Sequence, residues 1–315
     1  MNPAPFDPGA YPAILDARAR SAAVNTDWSR TTRAAIDARF DGLETPEAIV
    51  DAGRALLADS TWVERLFAPM IDALRKDPWF APGLRVNRDA LRTGIIIADC
   101  AQATLSATVT SAAALAQLEP PGTMVIAGRW SVTRYVRGGQ AEIRRWRAPP
   151  AGFDFSARTA EPARTLASRS LEDGDILVQS PCEGHLIVAA HSDIVTLTFT
   201  AKRGAAPLMR EYATRDGAFV RASCGEDRTA RAEMLLSFLR ASGRSDAGTQ
   251  FERESRHPAF HQRWAAMREW LMLDARAARP RLAEMAAADP NDEVRAAAAA
   301  TLATLDQRLT APCPA

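Results

Sequence analysis

The stretch TMVIAGRWSVTRYVRGGQAEIRRWR, residues 123–147, decides how the chain folds. Thr123 to Ala127, Ser131 to Val136 and Gln140 to Trp146 are rich in β-branched and aromatic residues with period-two alternation, which predicts three short strands. Arg137-Gly138-Gly139-Gln140 separates the last two, and a glycine pair between β-rich runs is a strong hairpin signal because glycine accepts the positive φ of a tight turn.

Working outward, the same texture continues on both sides. Asp175 to Gln179, His185 to Ala190, Ile194 to Ala201, Pro207 to Ala213 and Ala218 to Ala222 follow, with Glu172-Asp173-Gly174 and Arg215-Asp216-Gly217 as further turns. Gly94-Ile95-Ile96-Ile97 and Thr104 to Val109 precede it. No ten-residue helical pattern interrupts these strands, so a parallel α/β sheet is disfavoured and an antiparallel β-barrel or sandwich is expected over residues 84–224.

The flanks read as helices. Thr45-Pro46-Glu47 sets a cap residue and an N1 proline ahead of Ala48, Ile49, Ala52, Leu56 and Leu57. Thr61-Trp62-Val63-Glu64 has capping-box spacing and leads into Leu66, Phe67, Met70, Ile71 and Leu74, with an end expected near Asp77-Pro78 and a bend at Pro69. Beyond the strands, Glu226 or Asp227 is expected to cap a helix carrying Met234, Leu235, Phe238 and Leu239, stopped by Ser242-Gly243. Phe260, Trp264, Met267, Trp270 and Leu271 then form a core-facing stripe, and Pro258 at N1 would make His257 the cap residue. The expected fold is therefore α+β: a helical N-terminal layer over 1–83, the antiparallel strands over 84–224, and a helical C-terminal region over 225–315.

At 315 residues, 47% hydrophobic and 24% charged, the composition is that of a folded globular protein. A formal charge of +1 provides no global field to select nucleic acid or an anionic membrane as partner. Of the 39 cationic residues only Lys76 and Lys202 are lysines, a bias so uniform along the chain that it reads as codon composition. Cys100, Cys182, Cys224 and Cys313 form no CxxC pair, so neither a zinc knuckle nor a thioredoxin motif can be read. With no basic or apolar leader from Met1 to Pro8, a cytoplasmic location with reduced thiols is the expectation. Residues 93–118 carry few charges, but Asp99, Gln102 and Gln117 mark them as a core segment and not a membrane span.

Two segments resemble known families. Asp289-Pro290-Asn291-Asp292-Glu293-Val294-Arg295-Ala296-Ala297-Ala298 resembles the second half of a HEAT repeat, with Ala277 to Ala288 as its partner helix; the resemblance implies a HEAT-like helical pair and a protein-contacting surface. Leu171 to His185, with Gly174-Asp175 opening a strand and Pro181, Gly184 and His185 following, resembles the second motif of cupins, which implies a cupin-like β-barrel. Residue by residue, the cupin metal site reduces to His185, because Gly128 to Trp146 contains no histidine and only Glu142 as an acid.

Three constellations could carry chemistry. His185 and His191 could form a two-histidine site with Glu183 or Asp193 if the strand bends near Val188 to Ala190; along a straight strand they stand about 20 Å apart. Glu254, His257 and His261 share one helix face only if Pro258 does not interrupt it. The third is electrostatic: Arg129, Arg134, Arg137, Arg144, Arg145 and Arg147 interleave with Trp130, Tyr135 and Trp146 against the single acid Glu142. Alternation puts Arg145 and Arg147 on one strand face and Arg144 and Trp146 on the other, so the strands could present arginines to a carboxylate or phosphate, or instead pair them with Glu172, Asp173 and Asp175.

The expectation is a non-enzymatic binding or accessory protein without a cofactor. Arg129, Arg134, Arg144, Arg145, Arg147, Trp130, Tyr135 and Trp146 would take an anionic small molecule or peptide, while the C-terminal helices contact a protein partner; nucleic acid and membrane are not expected partners. The alternative is a cupin-type oxygenase or isomerase holding Fe, Mn, Ni or Zn on His185, His191, Glu183 and Asp193.

Overall fold

The computed structural model describes residues 11–225 and 227–310. Glu226, the leader reading at Met1 to Pro8, and Cys313 lie outside the described residues, and Asp227, the other residue expected as a cap, is the first residue of a C-terminal helix. In chain order the helices α1 (Tyr11–Trp28), α2 (Ala34–Asp37), α3 (Pro46–Ala58) and α4 (Thr61–Lys76) come first. Strands β1 (Arg85–Arg88), β2 (Arg92–Asp99) and β3 (Ala103–Thr110) follow, then the short α5 (Ala112–Leu115) and β4 (Thr123–Ile126). The chain continues with β5 (Ser131–Arg137), β6 (Ala141–Arg147), β7 (Arg164–Leu171), β8 (Ile176–Gln179), β9 (Glu183–Ala189), β10 (Ile194–Ala201), β11 (Leu208–Ala213) and β12 (Phe219–Cys224). It ends with α6 (Asp227–Ala241), α7 (Gly248–Glu254), α8 (Phe260–Leu273), α9 (Ala275–Ala288) and α10 (Asp292–Thr310). The fold is α+β, with helices, then antiparallel strands, then helices.

The helix starts have local causes. Thr45 accepts a hydrogen bond from the Ala48 N–H and Pro46 occupies the first turn of α3, as the sequence requires. At α4 the expectation needs correcting: Thr61 lies inside the helix, and Asp59 takes the Thr61 N–H and hydroxyl. Pro258 likewise does not open α8, which starts at Phe260 after Ala259, although the His257 ring accepts the Ala259 N–H at the entrance.

The ladders are antiparallel and fall into three sheets, ordered β1-β2-β3-β10-β5-β8, β12-β11-β4 and β7-β6-β9. The β5–β6 turn centres on Gly139 and Gln140, both at positive φ, 63° and 50°, but the hairpin expected there does not form: β5 pairs with β10 and β8 while β6 pairs with β7 and β9, so the turn carries the chain from one sheet to another. Alternation sorts the six-stranded sheet into two faces. Leu105, Val132, Leu197 and Phe199 pack with Trp28, Phe40, Ile49, Leu56, Leu57, Leu66 and Met70, so the N-terminal helices and this sheet share one core. Helix α3 lies so close that a Cβ on Gly53 would sit 2.4 Å from the Phe199 ring.

The C-terminal helices build a separate core from Leu236, Phe251, Met267, Trp270, Leu282, Met285 and Val294, with Phe260, Trp264 and Leu271 packed against it. A buried ion pair closes it: Arg263 donates to both oxygens of Asp289 at 2.9 and 2.6 Å and to the Pro258 carbonyl at 2.7 Å. Met234, Leu235 and Phe238 of α6 point outward, 72, 64 and 67% exposed. These helices also dock on the long β6–β7 connection, where Ser156 and the Arg158 N–H donate to Glu293, and Asn291 donates to the Phe155 carbonyl.

Candidate functional site

The second face of the six-stranded sheet is a field of hydroxyls. Thr104, Ser106 and Thr108 of β3 alternate with the core residues Ala103, Leu105 and Ala107, and pair in register with Thr200, Thr198 and Thr196 of β10. On the other side of β10 the partners are Ser131, Thr133 and Tyr135 of β5, and the Thr133 and Thr198 hydroxyls bond at 3.2 Å. A strand alternating apolar and hydroxyl residues buries one face and offers the other as donors and acceptors. Tyr135 marks the deep end; its hydroxyl lies 3.4 Å from Nε2 of His185 on β9, so the β7-β6-β9 sheet covers this part of the hydroxyl face. Tyr135, Ile143, Leu171, Leu177 and Ile194 seal the floor.

Three arginines act electrostatically on that pair. Arg145 sits opposite His185 in the β6–β9 ladder. Arg92, at the start of β2, acts on both His185 and Tyr135, and Arg169 on β7 acts on Tyr135. Burial, reinforced by Arg92 and Arg145, pushes the His185 imidazole down to about 4, although the residue keeps some solvent contact. Burial also lifts the Tyr135 phenol to about 12, against the pull of Arg169 and Arg92. At neutral pH both groups are therefore neutral hydrogen-bonding groups and the positive charge is carried by arginine. Arg169 is held by Asp175 at 2.8 Å, whereas no side-chain hydrogen bond or ion pair holds Arg92 or Arg145 among the described residues. Arg92 also borders a recess of about 420 Å³ over β1 to β3, lined by Arg88, the acid Asp89, Thr104, Ser106 and Thr108.

The arginine-rich stretch is thus dispersed. Arg145 and Tyr135 stand in the site. Arg134 donates to the Leu57 and Ala58 carbonyls at 3.0 and 2.8 Å, closing the end of α3. Arg129 donates to the Gly225 carbonyl, and Arg147 pairs with Glu183. Arg144 is exposed, Trp130 packs on the helix-facing core, and Trp146 is buried in a different cluster with Met124, Ile126 and Tyr212. The acids Glu172 and Asp173 do not neutralise this stretch; Asp173 accepts the Gly138 N–H.

The residues named for a metal are also held apart. His191 lies in the β9–β10 turn, bonded through Nδ1 to Gln140 at 2.9 Å, while Asp193 accepts the Ala112 N–H and Glu183 faces Arg147. Among the described residues no group of three or more His, Cys, Asp or Glu is placed to hold a metal ion. His185 alone would present a neutral nitrogen. Glu254 lies at the end of α7 and His261 inside α8, so the interruption at Pro258 separates that set.

No family model and no curated protein matches this chain. Solved structures with similarity include the capsular polysaccharide assembling protein CapF from Staphylococcus aureus, at 10% identity and TM-score 0.29, covering 51% of this chain and 37% of that one. Ectoine synthase from P. lautus matches at 11% identity and TM-score 0.24, over 37% of this chain and 67% of that one. A cupin 2 conserved barrel domain protein from Rhodopseudomonas palustris matches at 9% identity and TM-score 0.25, over 50% of this chain and 89% of that one. The chain spans a little over a third of the CapF length. The HEAT resemblance has no matching family model behind it; α9 and α10 stand as one packed helical pair. Among the described residues no helix is long and apolar enough to cross a membrane.

Proposed function

We propose that this protein is a binding or accessory protein that takes an anionic small molecule over the hydroxyl face, at Arg92, Arg145 and His185. The observation carrying this reading is that, among the described residues, Arg145 sits opposite His185 with no carboxylate partner, while Arg92, which acts on the same histidine, is in no ion pair and has only Asp89 as an acid acting on it through space, beside rows of threonine and serine hydroxyls. An unpaired guanidinium gains most from a carboxylate or phosphate that it can hold with two parallel hydrogen bonds. Neutral hydroxyls and a neutral imidazole suit the uncharged, hydroxylated remainder of such a ligand. In this reading the ligand binds without a metal at His185, and the exposed Met234, Leu235 and Phe238 of α6 are what a protein partner of the C-terminal helices would cover.

The test is a thermal-shift screen of sugar acids and sugar phosphates on the wild type and on Arg92→Ala/Arg145→Ala. A ligand that stabilises the wild type and leaves the double variant unmoved supports the reading; equal shifts in both proteins remove it.

A further inference from the structure

A second, smaller site lies away from the hydroxyl face. Arg210 is the middle residue of the buried phase of β11, between Leu208 and Tyr212, and is only 2% exposed. Its Nη1 donates to the Pro149 carbonyl and to the Tyr212 hydroxyl oxygen, both at 2.8 Å. The guanidinium lies 5.9 Å from the Phe155 ring centre and 5.7 Å from that of Tyr212. Nε and Nη2 have no hydrogen-bond partner, and among the described residues no carboxylate pairs with this arginine.

A guanidinium stays charged at any physiological pH, and a buried charge without a counter-ion is costly. The two unsatisfied atoms are one edge of the fork, Nε with Nη2, which meets a carboxylate or phosphate through two parallel bonds. Arg210 lines a cavity of about 190 Å³ roofed by the loop from Pro149 to Glu161. That volume is below the roughly 300–1,000 Å³ typical of larger ligands and suits one small charged group. Asp154 and Glu161 also line it, are exposed, and do not reach the guanidinium.

We propose that this cavity is an oxyanion site, in which a carboxylate or phosphate group entering beneath the 149–161 loop displaces the atoms that now cover Nε and Nη2 of Arg210 and is gripped by that edge. The aromatic faces of Phe155 and Tyr212 hold the guanidinium in place, and the missing negative charge comes from the ligand.

The experiment uses the full chain carrying Arg92→Ala/Arg145→Ala, which removes the arginines of the hydroxyl face. Thermal unfolding is followed against acetate and, separately, inorganic phosphate, with chloride holding the ionic strength constant. A saturable rise in melting temperature with one oxyanion, absent with chloride and lost on adding Arg210→Met, is expected; acetate alone points to a carboxylate ligand and phosphate alone to a phosphorylated one. Equal curves in oxyanion and chloride, or a rise that survives Arg210→Met, would overturn the proposal. So would a finding that Asp154→Gln or Glu161→Gln destabilises the protein as much as Arg210→Met, since the loop would then supply its own carboxylate. Should Arg210→Met fail to fold, selenate soaked into crystals of the parent protein decides: anomalous density at Nε and Nη2 supports the site, and none at saturating selenate refutes it.

Discussion

The Tyr135 hydroxyl lies 3.4 Å from His185 Nε2, a long contact between two groups that burial keeps neutral, with Arg145 directly across the ladder from the histidine. Most of what holds His185 neutral is enclosure and neighbouring positive charge, because a bond of that length is weak. Tyr135→Phe should therefore change His185 titration little, whereas Arg145→Ala should raise its pKa, as read by NMR of the imidazole. A larger shift from Tyr135→Phe than from Arg145→Ala would contradict this ordering.

The same histidine sets a pH dependence of stability. The unfolded chain takes up this proton near 6.5 and the folded chain only near 4, so between those values the unfolded state holds more protons. Stability should be complete above about pH 6.5 and fall as the pH drops towards 4, by no more than about 3 kcal/mol from this residue. Urea unfolding of wild type and His185→Gln from pH 7 to 4.5 measures it; matching slopes in the two proteins would assign the loss elsewhere. If the anionic ligand sits at His185, it favours the imidazolium, and its affinity should rise over the same acid range.

Glycine at 53 is a spacing requirement. A methyl there would meet the Phe199 ring at 2.4 Å, so Gly53→Ala should destabilise the protein by about 1–3 kcal/mol despite alanine's better helix propensity. Chemical denaturation reads the change, and a neutral or stabilising result would show that α3 can slide on β10.

The Arg263–Asp289 pair, with side chains 7 and 1% exposed, should be intolerant of losing one partner. Asp289→Ala leaves a buried guanidinium uncompensated and should cost about 3–5 kcal/mol, while exposed Arg279→Ala, which breaks the pair with Asp306, should cost under about 1 kcal/mol.

Arg134, although named with the other arginines, belongs to stability. Arg134→Met removes the donors to the Leu57 and Ala58 carbonyls and should lower stability by about 1–3 kcal/mol while leaving ligand response unchanged. A loss of ligand response at full stability would return it to the site.

The sequence shows the strand region well because glycine turns and period two are local signals. It hides β7, whose residues Arg164 to Leu171 lie at a sheet edge and mostly exposed, so no apolar phase marks them. The hydroxyl rows were visible as Thr-Leu-Thr-Phe-Thr at 196–200, but strand propensity alone gives threonine no direction until the helices claim Leu197 and Phe199. Arg92 and Arg169 join Arg145 only through pairing across long sequence separations. Arg210 left one trace, a charge on the apolar phase of Leu208 and Tyr212, and Met234, Leu235 and Phe238 show the converse, a helical stripe that faces outward.

The connection between β6 and β7, sixteen residues with only a single short turn of helix, is the longest between consecutive strands of the described residues and so a natural target for a protease. Its contacts from Phe155, Ser156 and Arg158 to Asn291 and Glu293 pin it from outside the sheets. A chain cut before Asp289 would free that span to be nicked, and the nick would fall beside Arg210, so the last helix guards a distant interior charge from water.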